Sequence, residues 1–204
     1  MKIIGISGGS GSGKTYFSLK LLKRFEKKIG IIKLDSYYKD LSNMNLIDRK
    51  ENNFDHPDSF DFNLLLSDLN KLEKFERVKI PIYDYKNHIR TNETFLIDKK
   101  KIIIVEGIFA LHEKSIREKM NLKVYINSIE EIRLKRRIQR DMNLRARSKE
   151  SILKQYKKTV KPMHEKFVST EKKYADLIIK NNDSNTDSFN ILLNKINSLL
   201  ESDE

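Results

Sequence analysis

Residues 8–15 read Gly8-Gly9-Ser10-Gly11-Ser12-Gly13-Lys14-Thr15. Glycines allow successive backbone N–H groups to turn inward around a polyphosphate, an ammonium at Lys14 reaches the terminal phosphates, and the Thr15 hydroxyl is placed to ligate Mg²⁺. A plain flexible turn would share this composition. The Gly8-x4-Gly13-Lys14-Thr15 spacing, between the apolar run Ile3-Ile4-Gly5-Ile6 and a helical pattern, favours a phosphate-binding loop. The helix opening at Lys14 adds the positive end of its dipole. A nucleoside triphosphate is the ligand this segment predicts.

Two carboxylates stand at the ends of apolar runs that lead to the same edge. Asp35 follows 29–34 and is suited to accept a proton from an attacking hydroxyl, to hold Mg²⁺ through water, or simply to cap a turn. Glu106 closes 101–106, a position that in phosphoryl transfer supports the metal. Between them, 54–61 (Phe54-Asp55-His56-Pro57-Asp58-Ser59-Phe60-Asp61) is too polar and aromatic to be core. Further on, Arg133, Arg136, Arg137 and Arg140 fall within an arc of about 100° on a helix, with Leu134, Ile138 and Met142 on another side. Arg145 and Arg147 extend the cluster into the next loop. A solvated guanidinium face of this kind suits an anionic partner, either a transferring phosphoryl group or a nucleic-acid backbone.

The elements that position these groups alternate. Apolar runs at 2–7, 29–34, 101–106, 122–127 and 176–180 predict short strands buried on both faces and paired in parallel. Helical patterns lie between them, from 14 to 28 with Phe17, Leu21, Leu22 and Phe25 on one face. Another covers 62–75 with Leu65, Leu66, Leu69 and Leu72 inward and Asp61 as N-cap. The expected fold is α/β: a P-loop NTPase fold, a five-stranded parallel sheet with helices on both faces. Ligands in such sheets sit outside the carboxyl ends of the strands. Runs at 78–83 and 94–97 around 84–90 predict a β-hairpin projecting from the sheet, and 129–150 an arginine-rich helical lid. A last amphipathic helix covers 189–200, and 201–204 is expected to fray. No linker divides the chain, so 1–204 is expected to form one domain.

Composition sets outer limits. With no cysteine among 204 residues, disulfides and thiolate metal sites are excluded, and a cytoplasmic location is expected. No apolar stretch reaches membrane-spanning length, and the N-terminus enters a strand at once, so neither a membrane partner nor a signal peptide is expected. The 41 Lys plus Arg against 29 Asp plus Glu give +12. Most of the lysines read as a solvated surface, and no RNA-binding motif accompanies them, so no nucleic-acid partner is expected.

Several segments in order resemble the motifs of the uridine kinase (uridine-cytidine kinase) family. They are Asp35-Ser36-Tyr37-Tyr38, 53–61, Pro81-Ile82-Tyr83-Asp84-Tyr85, Val105-Glu106-Gly107-Ile108, Arg136-Arg137-Ile138-Gln139-Arg140-Asp141 with Arg145-Ala146-Arg147, Gln155-Tyr156, Val160-Lys161-Pro162 and Lys172-Lys173-Tyr174-Ala175-Asp176. The resemblance implies a kinase that transfers the γ-phosphoryl of ATP or GTP to the 5′-hydroxyl of uridine or cytidine in pyrimidine salvage, with Mg²⁺. It implies Asp35 as general base, Asp55 on the ribose hydroxyls and Arg137 on acceptor and phosphates. Tyr38, Phe54, Tyr83 and His88 would enclose the pyrimidine with Gln155 nearby, and Arg140, Arg145 and Arg147 would meet ATP. A homotetramer and feedback by pyrimidine triphosphates are also implied. Phosphoribulokinase, pantothenate kinase and nicotinamide riboside kinase resemble the chain at the P-loop, but 54–61 and 83–88 argue against their acceptors. A nucleic-acid-dependent ATPase is the reading of a different class. Two residues depart from the family pattern: Ala146 replaces a glycine, with a backbone penalty if φ is positive there, and Ser169 replaces a proline.

Overall fold

The computed structural model describes residues 1–182 and 186–201. Along the chain run β1 (Lys2–Ser7), β2 (Ile29–Lys33), β3 (Arg77–Asp84), β4 (Ile89–Asp98), β5 (Ile102–Glu106), β6 (Leu122–Asn127) and β7 (Leu177–Lys180). Five of them pair in parallel in the order β2-β5-β1-β6-β7. The helices are α1 (Lys14–Arg24), α2 (Leu46–Glu51), α3 (Phe62–Lys74), α4 (Lys114–Arg117), α5 (Glu130–Arg145), α6 (Lys149–Gln155), α7 (Lys161–Met163) and α8 (Thr186–Glu201). Wide π turns at Tyr156–Val160 and His164–Val168, and a 3₁₀ turn at Ser169–Tyr174, carry the chain from α6 to the approach of β7.

The period of two along each strand divides the core. Ile4, Ile6, Ile104 and Val124 face α1 and α8, meeting Phe17, Leu21, Leu192 and Ile196. Ile3, Ile103, Val105 and Tyr125 face the other way, toward Leu65, Leu69 and Leu72 of α3 and toward Val78 and Ile80 of β3. Helices thus cover both faces, as the alternation predicts. Asp61 caps α3 by accepting the Leu64 N–H at 3.0 Å.

Four boundaries differ from expectation, among them the start of α8, at Thr186 rather than 189. Helix α1 stops at Arg24 rather than near 28, because Ile29 must already pair beside Ile102; the Phe25 N–H closes the helix on Leu21 O and Leu22 O. The hairpin ladder is longer than its apolar runs suggest, with β4 starting at Ile89 and only 85–88 left as the turn. Polar Arg90 and Thr91 hide this strand from a hydrophobicity reading. Backbone pairing of Tyr83 with Arg90 and of Asp84 with Ile89 builds it regardless. The fraying expected at 201–204 falls on 202–204, outside the described residues, while Glu201 closes α8.

The arginine face of α5 is the main correction. Half of it turns away from solvent: Arg133 and Arg137 are each only 5% exposed and Arg136 and Arg140 are half-buried, whereas Met142 is 46% and Leu144 79% exposed. Guanidiniums turn inward because backbone and side-chain acceptors await them there, Ser128 O for Arg133 Nε at 3.1 Å and Ser10 Oγ for Arg137 Nη1 at 2.8 Å. Among the described residues no helix is long and apolar enough to cross a membrane.

Ala146, the C-cap of α5, adopts φ 49° and ψ 36°, and its N–H reaches Asp141 O. A left-handed conformation costs a residue bearing a Cβ about 1–2 kcal/mol. Ala146→Gly is therefore expected to stabilise the protein by about 1 kcal/mol after the entropic cost of glycine, raising the unfolding midpoint by roughly 2–4 °C. Differential scanning calorimetry checks this, and a lowered midpoint would contradict it.

Candidate active site

The glycine-rich loop is fixed by its neighbours on the sheet edge. Gly11 and Gly13 have φ of 80° and 101°, and Gly13 N-caps α1. A Cβ at Gly11 would strike the Arg133 backbone, so glycine is required there twice over. Ser12 O accepts from Asn181 Nδ2 at 2.7 Å and Ser128 Oγ at 3.2 Å, tying the loop to the ends of β7 and β6. Lys14 is buried, its Nζ donating to Gly8 O at 2.9 Å and Gly9 O at 3.2 Å. Burial pulls its pKa below the ordinary lysine value, and the charges of Glu106 and Asp35 oppose that.

Thr15 Oγ1 donates toward both oxygens of Glu106, at 3.2 Å each. Hydroxyl and carboxylate thereby converge as hard oxygen donors of the kind that suit Mg²⁺. Burial raises the Glu106 pKa, with Lys14 working against it. Asp35 lies in the 3₁₀ turn Leu34–Tyr37 directly after β2. Its charge acts on Lys14 and Glu106 on one side and on Tyr38, Tyr85 and Asp55 on the other.

That second side is an aromatic enclosure. Residues 37–39 pair backbone to backbone with 59–61, through Lys39 N to Ser59 O and Asp61 N to Tyr37 O. The Tyr38 ring lies 4.3 Å from Phe60, 5.1 Å from Tyr83 and 5.3 Å from Phe54, centroid to centroid. His88 stacks on Phe54 at 4.7 Å with φ 55°. Burial lowers the His88 pKa, and nearby Lys50 adds to that, so the imidazole is neutral at physiological pH. Arg90 pins the hairpin to this wall, donating to Tyr38 O at 2.9 Å and Asp61 Oδ2 at 3.2 Å. Asp55 accepts from Thr159 Oγ1 at 2.9 Å; burial raises its pKa, and Arg137 is the main opposing charge.

The lid joins the two sides. Arg137 donates to Ser10 Oγ at 2.8 Å and to Gln155 Oε1 at 3.0 Å, and Arg147 donates to the same Gln155 oxygen at 2.5 Å. Arg145 stands 5.9 Å over the Tyr85 ring. The sequence-predicted residues therefore gather into a loop-and-carboxylate group and an aromatic group that share Asp35. Arg140 and Arg145 are partly exposed and bear on Asp141. Sequence reading did not single out Tyr85, Thr159, Asp141 or Glu171. Asp141 was legible as the acid beside Arg140, whereas Tyr85 falls in the hairpin turn, where strand alternation gives no direction. Nothing in the sequence marks Thr159 or Glu171.

The fold and loop define a P-loop NTPase architecture, and solved structures agree on it. Phosphoribulokinase from Rhodobacter spheroides superposes with a TM-score of 0.62 at 13% identity, covering 92% of this chain and 73% of its own. D-glycerate 3-kinase from Cryptococcus neoformans gives 0.62 at 18% identity, covering 88% and 86%. The sequence is more specific. Residues 3–187 match the phosphoribulokinase / uridine kinase family. A uridine kinase of Staphylococcus haemolyticus is 45% identical over 199 residues, 97% of this chain and 96% of its own. One from Clostridium tetani is 41% identical over 203 residues, 99% and 97%. The chain belongs to the phosphoribulokinase / uridine kinase family.

Beneath the loop, Glu171 is 1% exposed; its Oε2 accepts the Leu111 N–H at 3.1 Å and shares a hydrogen bond with Ser7 Oγ. Burial raises its pKa to about 8. The folded protein thus holds a proton that the unfolded chain releases near pH 4.5. Stability linked to this group is fully present below that pH and is lost as pH rises through about 8. Glu171→Gln mimics the neutral acid, so it is expected to unfold at a higher temperature than the parent at pH 8.5 and close to it at pH 5. A variant destabilised equally at both pH values would contradict the raised pKa.

Proposed function

We propose that the protein is a pyrimidine ribonucleoside kinase, transferring the γ-phosphoryl group of ATP or GTP to the 5′-hydroxyl of uridine or cytidine and releasing UMP or CMP. The observation that carries this reading is the position of Asp35, whose charge acts on the phosphate-loop lysine and on the aromatic enclosure together. An acceptor held among the aromatics presents its hydroxyl to the same carboxylate that faces the donor. The uridine kinases at 41–45% identity over nearly the whole chain support the same acceptor.

In this mechanism Tyr38, Phe54, Tyr83, Tyr85 and His88 hold a single-ring base, and a purine is disfavoured by its second ring. Neutral His88 offers a donor or an acceptor according to its tautomer, which serves both uracil and cytosine. Asp55 accepts from the ribose hydroxyls, making a 2′-deoxynucleoside a poor substrate. Asp35 takes the 5′-hydroxyl proton as the 5′-oxygen bonds to the γ-phosphorus and the bond to the bridging oxygen of the departing nucleoside diphosphate breaks. Lys14 and the loop N–H groups hold the phosphates. Arg137, Arg140, Arg145 and Arg147 face the charge that spreads over the transferring group and keep water from it. Thr15 and Glu106 would hold Mg²⁺, which supplies neutralisation of phosphate charge when bound.

Ribulose phosphate and pantothenate, acceptors of related P-loop kinases, fit less well, because neither has a ring for the enclosure. A nucleic-acid-dependent ATPase would need guanidiniums facing outward, and Arg133 and Arg137 face in. Exposed Phe75, Phe95 and Leu96 on and beside the hairpin supply apolar surface for the homotetramer we infer, and pyrimidine salvage in the cytoplasm is the proposed setting.

A coupled assay over a panel of nucleosides with ATP and GTP tests the proposal. Uridine and cytidine are expected to drive nucleoside diphosphate release, with thymidine and purine nucleosides far weaker. Release independent of nucleoside, or driven by RNA, would overturn it. Asp35→Asn is expected to lower kcat by about 10²–10⁴-fold with little change in uridine affinity, whereas Asp55→Asn should act mainly through KM. His88→Asp tolerates the left-handed backbone, and its carboxylate can only accept a hydrogen bond. It should therefore fold normally yet shift the uridine-to-cytidine ratio of kcat/KM; an unchanged ratio would place base reading elsewhere.

A further inference from the structure

Asp141 is fully buried, at 0% exposure, among the arginines of α5 and of the elbow after it. Four guanidiniums surround its carboxylate. Arg140 Nε lies 2.8 Å and Arg145 Nη1 3.5 Å from Oδ1, and Arg137 Nε lies 3.7 Å and Arg147 Nη1 4.0 Å from Oδ2. Arg137 and Arg145 stand one helical turn to either side of it. Arg147 arrives from beyond the elbow, and that elbow is closed by Asp141 as well, since its carbonyl accepts the N–H groups of Ala146 and Arg147.

Four like charges this close repel one another, and a single carboxylate offsets one of them. Burial alone would raise the pKa of Asp141. Its hydrogen bond from Arg140 and the charges of Arg140, Arg137 and Arg145 outweigh burial and hold it below the ordinary carboxylate value, so it is ionised at neutral pH. Of the four arginines, Arg140 alone makes a hydrogen bond to it; the others are drawn in by charge, Arg137 and Arg147 while donating to other acceptors and Arg145 while lying over the Tyr85 ring. Arg137 Nη1 reaches Ser10 of the phosphate loop, and Arg147 Nη1 reaches Gln155. The carboxylate therefore concentrates positive charge without consuming most of the donors that carry it.

We propose that Asp141 is a positioning residue, whose buried carboxylate gathers Arg137, Arg140, Arg145 and Arg147 into one convergent cluster before a triphosphate arrives. The reorganisation that would otherwise accompany phosphoryl transfer is then completed during folding. This rests on the kinase reading above only for its rate measurement. A competing role is that Asp141 occupies the arginines and must be displaced by the phosphates. Its complete burial and its single hydrogen bond favour positioning.

Asp141→Asn preserves the shape and removes the charge. Misplacing catalytic groups by an ångström costs about 10²-fold, so kcat with uridine is expected to fall by about that factor while uridine KM stays nearly constant. A fluorescent ATP analogue should bind more weakly to the variant, without uridine present. Asp141→Glu restores the charge and should recover part of both losses, which a packing defect would not permit. Circular dichroism and unfolding midpoints follow each variant, and Asp141→Glu carries the test if the asparagine variant does not fold. An asparagine variant with unchanged kcat, or one binding the analogue more tightly, would overturn the proposal. So would losses in both variants that track only the fall in midpoint. A wild-type protein whose analogue binding depends on Asp141 yet never phosphorylates uridine would sink the substrate assignment and leave this role standing.

Discussion

Holding cationic groups away from water at one edge of a parallel sheet is the constraint on which the rest of this structure depends. An ammonium or guanidinium taken out of water is costly unless paired and hydrogen-bonded. The protein meets that cost at Lys14 with two loop carbonyls and the fields of Glu106 and Asp35, at Arg133 with Ser128 O, and at Arg137 with Ser10, Gln155 and Asp141. The central place of β1 makes this arrangement reachable. Its neighbours β5 and β6 deliver Glu106 and Ser128 to the same edge, and β2 delivers Asp35 one strand further out.

Two of the anionic partners, Glu106 and Asp141, are themselves buried, so each side of the balance stabilises the other. Removing one member leaves an uncompensated charge, a costlier outcome than losing an exposed pair. The aromatic enclosure is held differently, by ring packing and by Arg90, and its His88 turn sits in a left-handed conformation that few side chains favour. Phosphate handling and acceptor selection are thus built on separate elements that meet at the turn carrying Asp35.

What the sequence shows of this depends on how local the signal is. The loop, the five strands and the cap at Asp61 are legible because spacing and period declare them within a few residues. The start of β4 is not, because Arg90 and Thr91 belong to a ladder made by backbone pairing rather than by apolar side chains. The direction of the arginines on α5 also escapes, since periodicity shows that a helix has two faces and is silent on which one finds acceptors. Thr159 and Glu171 act across 104 and 164 residues of sequence, on Asp55 and Ser7, and no local pattern encodes such a partner.

A crystal structure of the protein with uridine, Mg²⁺ and a non-hydrolysable ATP analogue measures the central claim most directly. The account predicts the 5′-oxygen within hydrogen-bonding distance of the Asp35 carboxylate, on the side facing the γ-phosphate, with the base among Tyr38, Phe54, Tyr83 and His88. A nucleoside bound with its 5′-oxygen remote from Asp35, or its base outside those rings, would contradict it.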